Sequence, residues 1–195
     1  MCEQAAYISR NGMSTSDQPP FPLTIRIANA ADVDAIRALM GRAIRELQKG
    51  FLSSEQVEAS SAGMGLDTQL IEDGTYFTVW CGDILAGCGG WSHRATLYGG
   101  NHSAGRSARL LDPATERGRI RAMYTNPDFT RRGIGTMILE AGEAAARAAG
   151  FKALEMAATM AGMPLYLRAG YVVESEWFDH NGAVPVPLAT MVKAI

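Results

Sequence analysis

The sequence is poor in the residues that build disulfide frameworks and metal centres. Its 195 residues include only three cysteines (Cys2, Cys81 and Cys88) and three histidines, with no Cys-x-x-Cys or His-x-x-x-His spacing. A small, odd number of cysteines argues against a disulfide framework, and those spacings are typical of zinc ligands. We therefore expect no metal, and cysteines that stay reduced in a cytoplasmic protein.

Charge and hydropathy exclude two further classes. The chain carries 18 lysines and arginines against 20 aspartates and glutamates, a formal net charge of −2. General nucleic-acid binders usually carry a basic surplus, so we expect no nucleic-acid partner. No apolar run approaches the roughly 20 residues that span a bilayer, and the first twenty residues lack the apolar core of a secretory signal. We expect no membrane partner either.

Hydrophobic residues are plentiful, at 47% of the chain, which is typical of a compact domain with a substantial core. Residues 1–21 end in a stretch rich in Ser, Asp, Gly and Pro and are expected to form a flexible tail. Residues 22–195 are expected to form a single domain. Within it, residues 92–118 lose all periodicity, which predicts a long loop of the kind that serves as a lid, a binding loop or a disordered insertion.

Hydrophobic periodicity predicts the element order β-α-α-β-β-β-α-β-α-β-β, an α/β (α+β) fold with helices packed against a mixed sheet. Two capping pairs, Asn29 with Asp32 and Ser53 with Gln56, mark the starts of the first two helices. The strongest helix is 133–149. Its predicted apolar face consists of Ile134, Met137, Ile138, Ala141, Ala145 and Ala148.

The segment 130–136, TRRGIGT, links a predicted strand to the start of this helix. Free N–H groups at a helix N-terminus form an anion site, and the helix dipole adds to it. Gly133 and Gly135 remove side chains where a pyrophosphate would approach the backbone, and Arg131 and Arg132 add positive charge. The dinucleotide motif and the Walker loop are both absent. The segment therefore predicts a pyrophosphate-bearing acyl carrier as ligand, the alternative being a glycine-rich turn without one.

Four stretches together carry a family resemblance: MYTNPD at 123–128, RRGIG at 131–135, LEMAAT at 154–159 and PLYLRAGY at 164–171. They resemble the acyl-CoA-binding region of the GNAT superfamily of acetyl-CoA-dependent N-acetyltransferases, in a bacterial subgroup. The resemblance is firm from about residue 119 to residue 171. It implies a mixed, mostly antiparallel central sheet flanked by helices, with acetyl-CoA as cosubstrate.

The resemblance also implies roles for individual residues. Main-chain N–H groups of 131–136 would hold the pyrophosphate, and the backbone of Met123 and Thr125 would meet the pantetheine arm and the acetyl group. Tyr166 matches the tyrosine that protonates the leaving thiolate. The implied cofactor-binding residues are Met123, Tyr124, Thr125, Arg131, Arg132, Gly133, Ile134, Gly135, Thr136 and Thr159.

The sequence departs from the family pattern at three positions. Thr130 stands where relatives have Gln or Arg, Thr159 replaces an Asn that contacts the cofactor, and Arg119 replaces a Glu that some relatives use as general base. The base is therefore unassigned. His93, Glu155 and a chain of water molecules are the candidates.

We predict an enzyme that transfers an acetyl group from acetyl-CoA to a primary amine of a small molecule, directly in a ternary complex, because Cys81 and Cys88 show no sign of forming an acyl-enzyme. Two alternatives stay open: a non-catalytic acyl-CoA-binding sensor, and an acetyltransferase of peptide or protein amines, which an open cleft would favour. A homodimer is also left open. Acidic residues near the last hairpin (Glu174, Glu176 and Asp179) would suit a cationic amine, although solvation explains them equally well.

Overall fold

The computed structural model describes residues 22–103 and 106–195, so the predicted tail 1–21 lies outside the described residues. Seven strands form one sheet in the order β1-β2-β3-β4-β5-β7-β6. The strands are β1 (Leu23–Ile27), β2 (Tyr76–Cys81), β3 (Ile84–Ser92), β4 (Gly118–Thr125), β5 (Ala153–Thr159), β6 (Val172–Asp179) and β7 (Val186–Ala194).

All neighbouring strands of the sheet run antiparallel except β4 and β5, which are parallel. The expected mixed, mostly antiparallel sheet is therefore confirmed. Strand β3 extends four residues beyond its predicted end, through Gly89 and Gly90. A Cβ on Gly89 would lie 2.5 Å from Met123 Sδ. The glycine therefore leaves room for the side chain of Met123, which comes from the neighbouring strand β4.

Five helices connect these strands: α1 (Val33–Leu47), α2 (Ser54–Gly63), α3 (Thr68–Glu72), α4 (Ile134–Ala148) and α5 (Met163–Arg168). Both predicted capping boxes are present. Asn29 and Asp32 cap a single 3-10 turn that continues into α1, and Ser53 and Gln56 cap α2. Helix α3 was not predicted, because five residues are too few to show a helical period.

The helices cover opposite faces of the sheet. Helix α1 buries Ile36, Met40 and Ile44 in a cluster with Tyr76 and Tyr124, whereas α4 and α5 contribute to clusters on the other face. The buried stripe of α4 runs through Ile134, Ile138, Leu139, Gly142, Glu143 and Ala146. The buried face of α4 is thus rotated from the predicted one. The carboxylate of Glu143 on this face is paired, since Lys193 Nζ lies 2.7 Å from Glu143 Oε2.

The long connection between β3 and β4 is attached to the rest of the fold by arginines. Arg94 donates to both carboxylate oxygens of Asp73, at 2.6 and 2.7 Å. Arg106 donates to Asp67 Oδ1 at 2.6 Å. Arg121, on β4, donates to the carbonyls of Thr96 and Gly99, each at 2.7 Å. Charge-assisted hydrogen bonds of this kind are short and strong, and they fix the described parts of the loop against α3 and β4.

Candidate functional site

The centre of the sheet is split between β4 and β5. The two strands pair only at Gly118 with Leu154 and at Arg119 with Glu155. Beyond that point β4 contains an irregularity at Ala122, whose φ is +50° and whose carbonyl accepts a hydrogen bond from the Tyr76 hydroxyl at 2.7 Å. A bulge of this kind bends a strand and ends regular pairing. The backbone of both strands thereby becomes available to a ligand.

A cavity of about 690 Å³ occupies this split. Its lining comes from the α4 and α5 face, from β4 and β5 themselves, and from the α1 face. Tyr166 and all predicted cofactor-binding residues line it except Arg132, whose guanidinium lies 5.2 Å from the centre of the Phe129 ring. Arg168, which the sequence had not indicated, joins Arg131 in the lining.

The end of the cavity near α4 is built from a helix N-terminus. The first hydrogen bond of α4 runs from the Met137 N–H to the Gly133 carbonyl at 2.9 Å, so the N–H groups before it have no partner within the helix. Gly133 has φ +79° with open space around its Cα, and Arg131 has φ +63°. The positive φ of Gly133, and not a lack of space, is therefore the reason for glycine at this position.

Gly135 has a different reason for being glycine. A Cβ at this position would lie 2.8 Å from Leu165 Cδ2, on α5. The missing side chain thus allows α5 to pack close to the first turn of α4, which is a packing reason for glycine in addition to the phosphate access that the sequence predicts. The packing brings α5, and with it Tyr166, next to the helix N-terminus.

Tyr166, on α5, lines the cavity. It is 7% exposed, and its ring meets the Tyr171 ring edge to face at 6.2 Å. Burial raises the pKa of Tyr166 above its ordinary value, so the hydroxyl keeps its proton. Thr159 precedes the same helix, and its Oγ1 accepts a hydrogen bond from the Gly162 N–H at 3.2 Å, which leaves the hydroxyl free to donate.

The sequence matches the model of the GNAT acetyltransferase family over residues 42–171, two thirds of its length. The chain belongs to the GNAT family. The resemblance seen in the sequence is confirmed, and so is the expectation of an acetyltransferase enzyme. A comparison with curated proteins gave no match.

Solved GNAT structures share the fold. A GCN5-related N-acetyltransferase from Rhodopseudomonas palustris is 20% identical, with a TM-score of 0.65 over 88% of this chain and 95% of that one. The PaiA N-acetyltransferase of Thermoplasma acidophilum, solved with coenzyme A, is 13% identical, with a TM-score of 0.61 over 90% and 100%. YncA of Salmonella typhimurium, solved with acetyl-CoA, is 17% identical, with a TM-score of 0.58 over 89% and 94%.

Neither side chain suggested as the general base of this GNAT domain lines the cavity. His93 packs edge-on against Trp91 at 5.7 Å, and its Nε2 lies 3.8 Å from Asp73 Oδ2. Glu155 forms ion pairs with Arg119 and Arg117. Among the residues that the structure describes, the lining contains no histidine and no carboxylate.

The two described cysteines are also remote from acyl transfer. Cys88 is fully buried, and burial raises the pKa of its thiol to about 12. Cys81 is 3% exposed, and neither residue lines the cavity. Because the thiolate is the nucleophilic form, the environment of Cys88 opposes an acyl-enzyme.

The other end of the cavity lies on the α1 face, and sequence reasoning did not bring its residues together. They come from the end of α1, the segment after α2 and the long loop. Polar lining here includes Gln48 and Arg121, and the apolar wall consists of Ile44, Leu47, Phe51, Met64, Leu97 and Tyr98. No local pattern marks these positions, because they are distant in the sequence and meet only in the fold.

Within residues 22–103 and 106–195, no helix has both the length and the hydropathy needed to cross a membrane. In the same ranges, His, Cys, Asp and Glu side chains nowhere gather in a group of three that could hold a metal ion.

Proposed function

We propose that the protein is an acetyl-CoA-dependent N-acetyltransferase that acetylates a primary amine of a small molecule by direct transfer in a ternary complex. The observation that carries this proposal is the single cavity that joins the N-terminus of α4, the hydroxyl of Tyr166 and the apolar end beside α1. One continuous space of that kind allows both substrates to be bound at once.

The α4 end is suited to the pyrophosphate of coenzyme A. The N–H groups of Gly133, Ile134, Gly135 and Thr136 belong to the first turn, where backbone donors and the helix dipole favour an anion. Arg131, in the turn before α4, supplies a cationic side chain at the same end, and Arg168 of α5 also lines the cavity. The pantetheine arm would then lie along the exposed backbone of β4 at Met123 and Thr125, in the split of the sheet.

The transfer step needs little from side chains. The amine nitrogen forms a bond to the thioester carbon, a main-chain N–H near Met123 or Tyr124 stabilises the oxyanion, and the C–S bond breaks to release the thiolate. Tyr166 donates its proton to that thiolate, and the nitrogen gives its surplus proton to water. Positioning of the two substrates supplies roughly 7–11 kcal/mol of the catalysis.

The long loop supports a small acceptor rather than a protein. Leu97, Tyr98 and Gly99 form part of the cavity wall, so the loop encloses the acceptor end on one side. We propose accordingly that the long loop 92–118 belongs to one domain spanning 22–195, and that its residues 97–99 form part of the acceptor site.

The test is release of coenzyme A from acetyl-CoA, measured with a panel of primary amines, followed by the variant Tyr166→Phe. General acid catalysis contributes about 10²–10⁴-fold, so kcat should fall by about that factor while the KM for acetyl-CoA changes little. Tyr171→Phe is the matched control, since it removes a hydroxyl from the adjacent ring outside the cavity lining. An unchanged kcat in Tyr166→Phe would show that the acid is another group.

A further inference from the structure

The acceptor end of the cavity has the chemistry to choose among amines. On the basis of the proposed function, we infer that the acceptor is an apolar monoamine, a primary amine whose remaining body is uncharged hydrocarbon. The wall that would surround that body is formed by aliphatic, thioether and aromatic side chains, with Phe51 half exposed and the other members more buried. Burial of hydrocarbon against such a wall contributes about 25 cal/mol per Å².

The charged residues of the lining also favour an acceptor with an uncharged body. These residues, within the described part of the chain, are Arg121, Arg131 and Arg168. Arg131 lies in the turn before α4, at the end suited to phosphate, and Arg168 belongs to α5, which packs against the first turn of α4. Arg121, 4% exposed, already donates to the carbonyls of Thr96 and Gly99 and to Asp67. A second ammonium on the acceptor would find no carboxylate here, and an acceptor carboxylate would find no free guanidinium. Burying an unpaired charge is costly.

The acidic residues near the last hairpin do not supply the missing carboxylate. Arg117 pairs with Glu174 at 2.8 Å, outside the cavity lining. Asp179 is 4% exposed, and its Oδ1 accepts two hydrogen bonds from Asn181. Its Oδ2 and the Tyr98 hydroxyl both lie against Gly63, and Asp179 is not part of the lining. Asp179 therefore lies beside Tyr98 of the wall, but none of the three hairpin carboxylates lines the cavity.

Gln48 offers the polar contact that an amine needs in this apolar surrounding. It is 4% exposed, lines the cavity, and its Nε2 contacts Met64 Sδ at 3.6 Å. Its Oε1 is buried without a hydrogen-bond donor among the described residues. An unsatisfied buried acceptor costs about as much as a lost hydrogen bond, and the terminal amide torsion is soft. A small rotation would direct Oε1 to an N–H of the bound amine, which makes Gln48 a specificity-determining residue.

Three acceptors of equal chain length test the substrate class: hexylamine, 1,6-diaminohexane and 6-aminohexanoate. We expect kcat/KM for hexylamine to exceed that for each charged analogue by about 100-fold or more, because only the analogues bury an unpaired charge. Equal or better turnover of either analogue overturns the inference. If none of the three reacts but polycationic amines such as spermidine do, the inference fails and the proposed function stands. If acetyl-CoA binds but no amine releases coenzyme A, the proposed function fails as well.

The variant Gln48→Met tests the polar contact with little change of volume. The KM for hexylamine should rise about 3- to 10-fold, the worth of one neutral hydrogen bond, while the KM for acetyl-CoA stays unchanged. Gln69→Met is the control, since Gln69 donates to Asp73 and lies outside this cavity. An unchanged KM for hexylamine in Gln48→Met, or an equal rise in Gln69→Met, contradicts the role of Gln48.

Discussion

Arg121 should contribute far more to stability than an exposed arginine, because it holds the loop segment that lines one end of the cavity. Its guanidinium makes three hydrogen bonds, two to loop carbonyls at 2.7 Å and one to Asp67 Oδ2 at 3.1 Å. Removing one partner of a buried ion pair costs about 3–5 kcal/mol. Asp67 retains Arg106 at 2.6 Å, so the variant Arg121→Met should lie near the lower figure, about 3 kcal/mol.

Urea unfolding at equilibrium measures this cost. With a slope of about 2 kcal/mol per M, a loss of 3 kcal/mol moves the midpoint down by about 1.5 M. Arg37→Met is the matched control, since Arg37 forms an exposed pair with Asp34 and pairs of that kind contribute about 0–1 kcal/mol. One cooperative transition in the wild type is also expected if residues 22–195 form a single domain.

The same variant has a kinetic signature. Loss of the two loop contacts loosens Leu97–Gly99, so the KM for the amine should rise by more than the KM for acetyl-CoA. A midpoint for Arg121→Met equal to that of Arg37→Met would refute the reasoning, because it would mean that the buried guanidinium does not hold the loop. An equal change in both KM values would place the effect on the whole cavity instead of its acceptor end.

Two further predictions concern the cofactor end and the missing base. Gly133→Ala should lose about 1–2 kcal/mol of stability, since φ there is +79°, and should raise the KM for acetyl-CoA. Gly50→Ala, with open space and no positive φ, should do neither. With no side-chain base in the described lining, kcat/KM for an alkylamine should rise with pH as its neutral fraction rises. At pH values up to about 10, the ordinary pKa of tyrosine, kcat/KM should show no decrease, because burial raises the pKa of Tyr166 and keeps its hydroxyl protonated. An arylamine, already neutral at pH 7, should give a flat profile. If kcat/KM for both amines instead decreased at low pH with a midpoint near pH 6–7, a histidine or carboxylate base would be indicated.

The cofactor end was predictable because its conformation is encoded locally. The segment 130–136 contains, in seven consecutive residues, the glycine that its positive φ requires and the start of the helix that supplies free N–H groups. Capping boxes at Asn29 and Ser53 were predictable for the same reason, since each involves residues three apart. The acceptor end was not predictable, because Gln48, Met64 and Tyr98 become neighbours only through tertiary packing.

Arg121 shows a second limit of sequence patterns. Alternation along a regular strand places consecutive side chains on opposite faces, and an arginine between Ile120 and Ala122 would ordinarily be assigned to solvent. It is instead buried and bonded to the loop. Its partners are backbone carbonyls and a carboxylate from distant segments, and hydrophobic periodicity carries no information about such contacts. The contacts of the described part of the loop were unpredictable for the same reason.

The irregularity in β4 explains how one strand serves both ends of the cavity. Ile120 packs with the α4 cluster, whereas Arg121 reaches the loop and Ala122 packs with the α1 cluster, so two consecutive residues lie on the same side. The alternation then resumes in the opposite phase, with Met123 toward α4 and Tyr124 toward α1. A one-residue bulge produces this reversal. Without it Tyr124 would face α4 and Met123 would face α1. Substitutions that restore regular pairing at Ala122 should therefore disturb both substrate sites together, whereas changes at Gln48 or Leu97 act on the acceptor end alone.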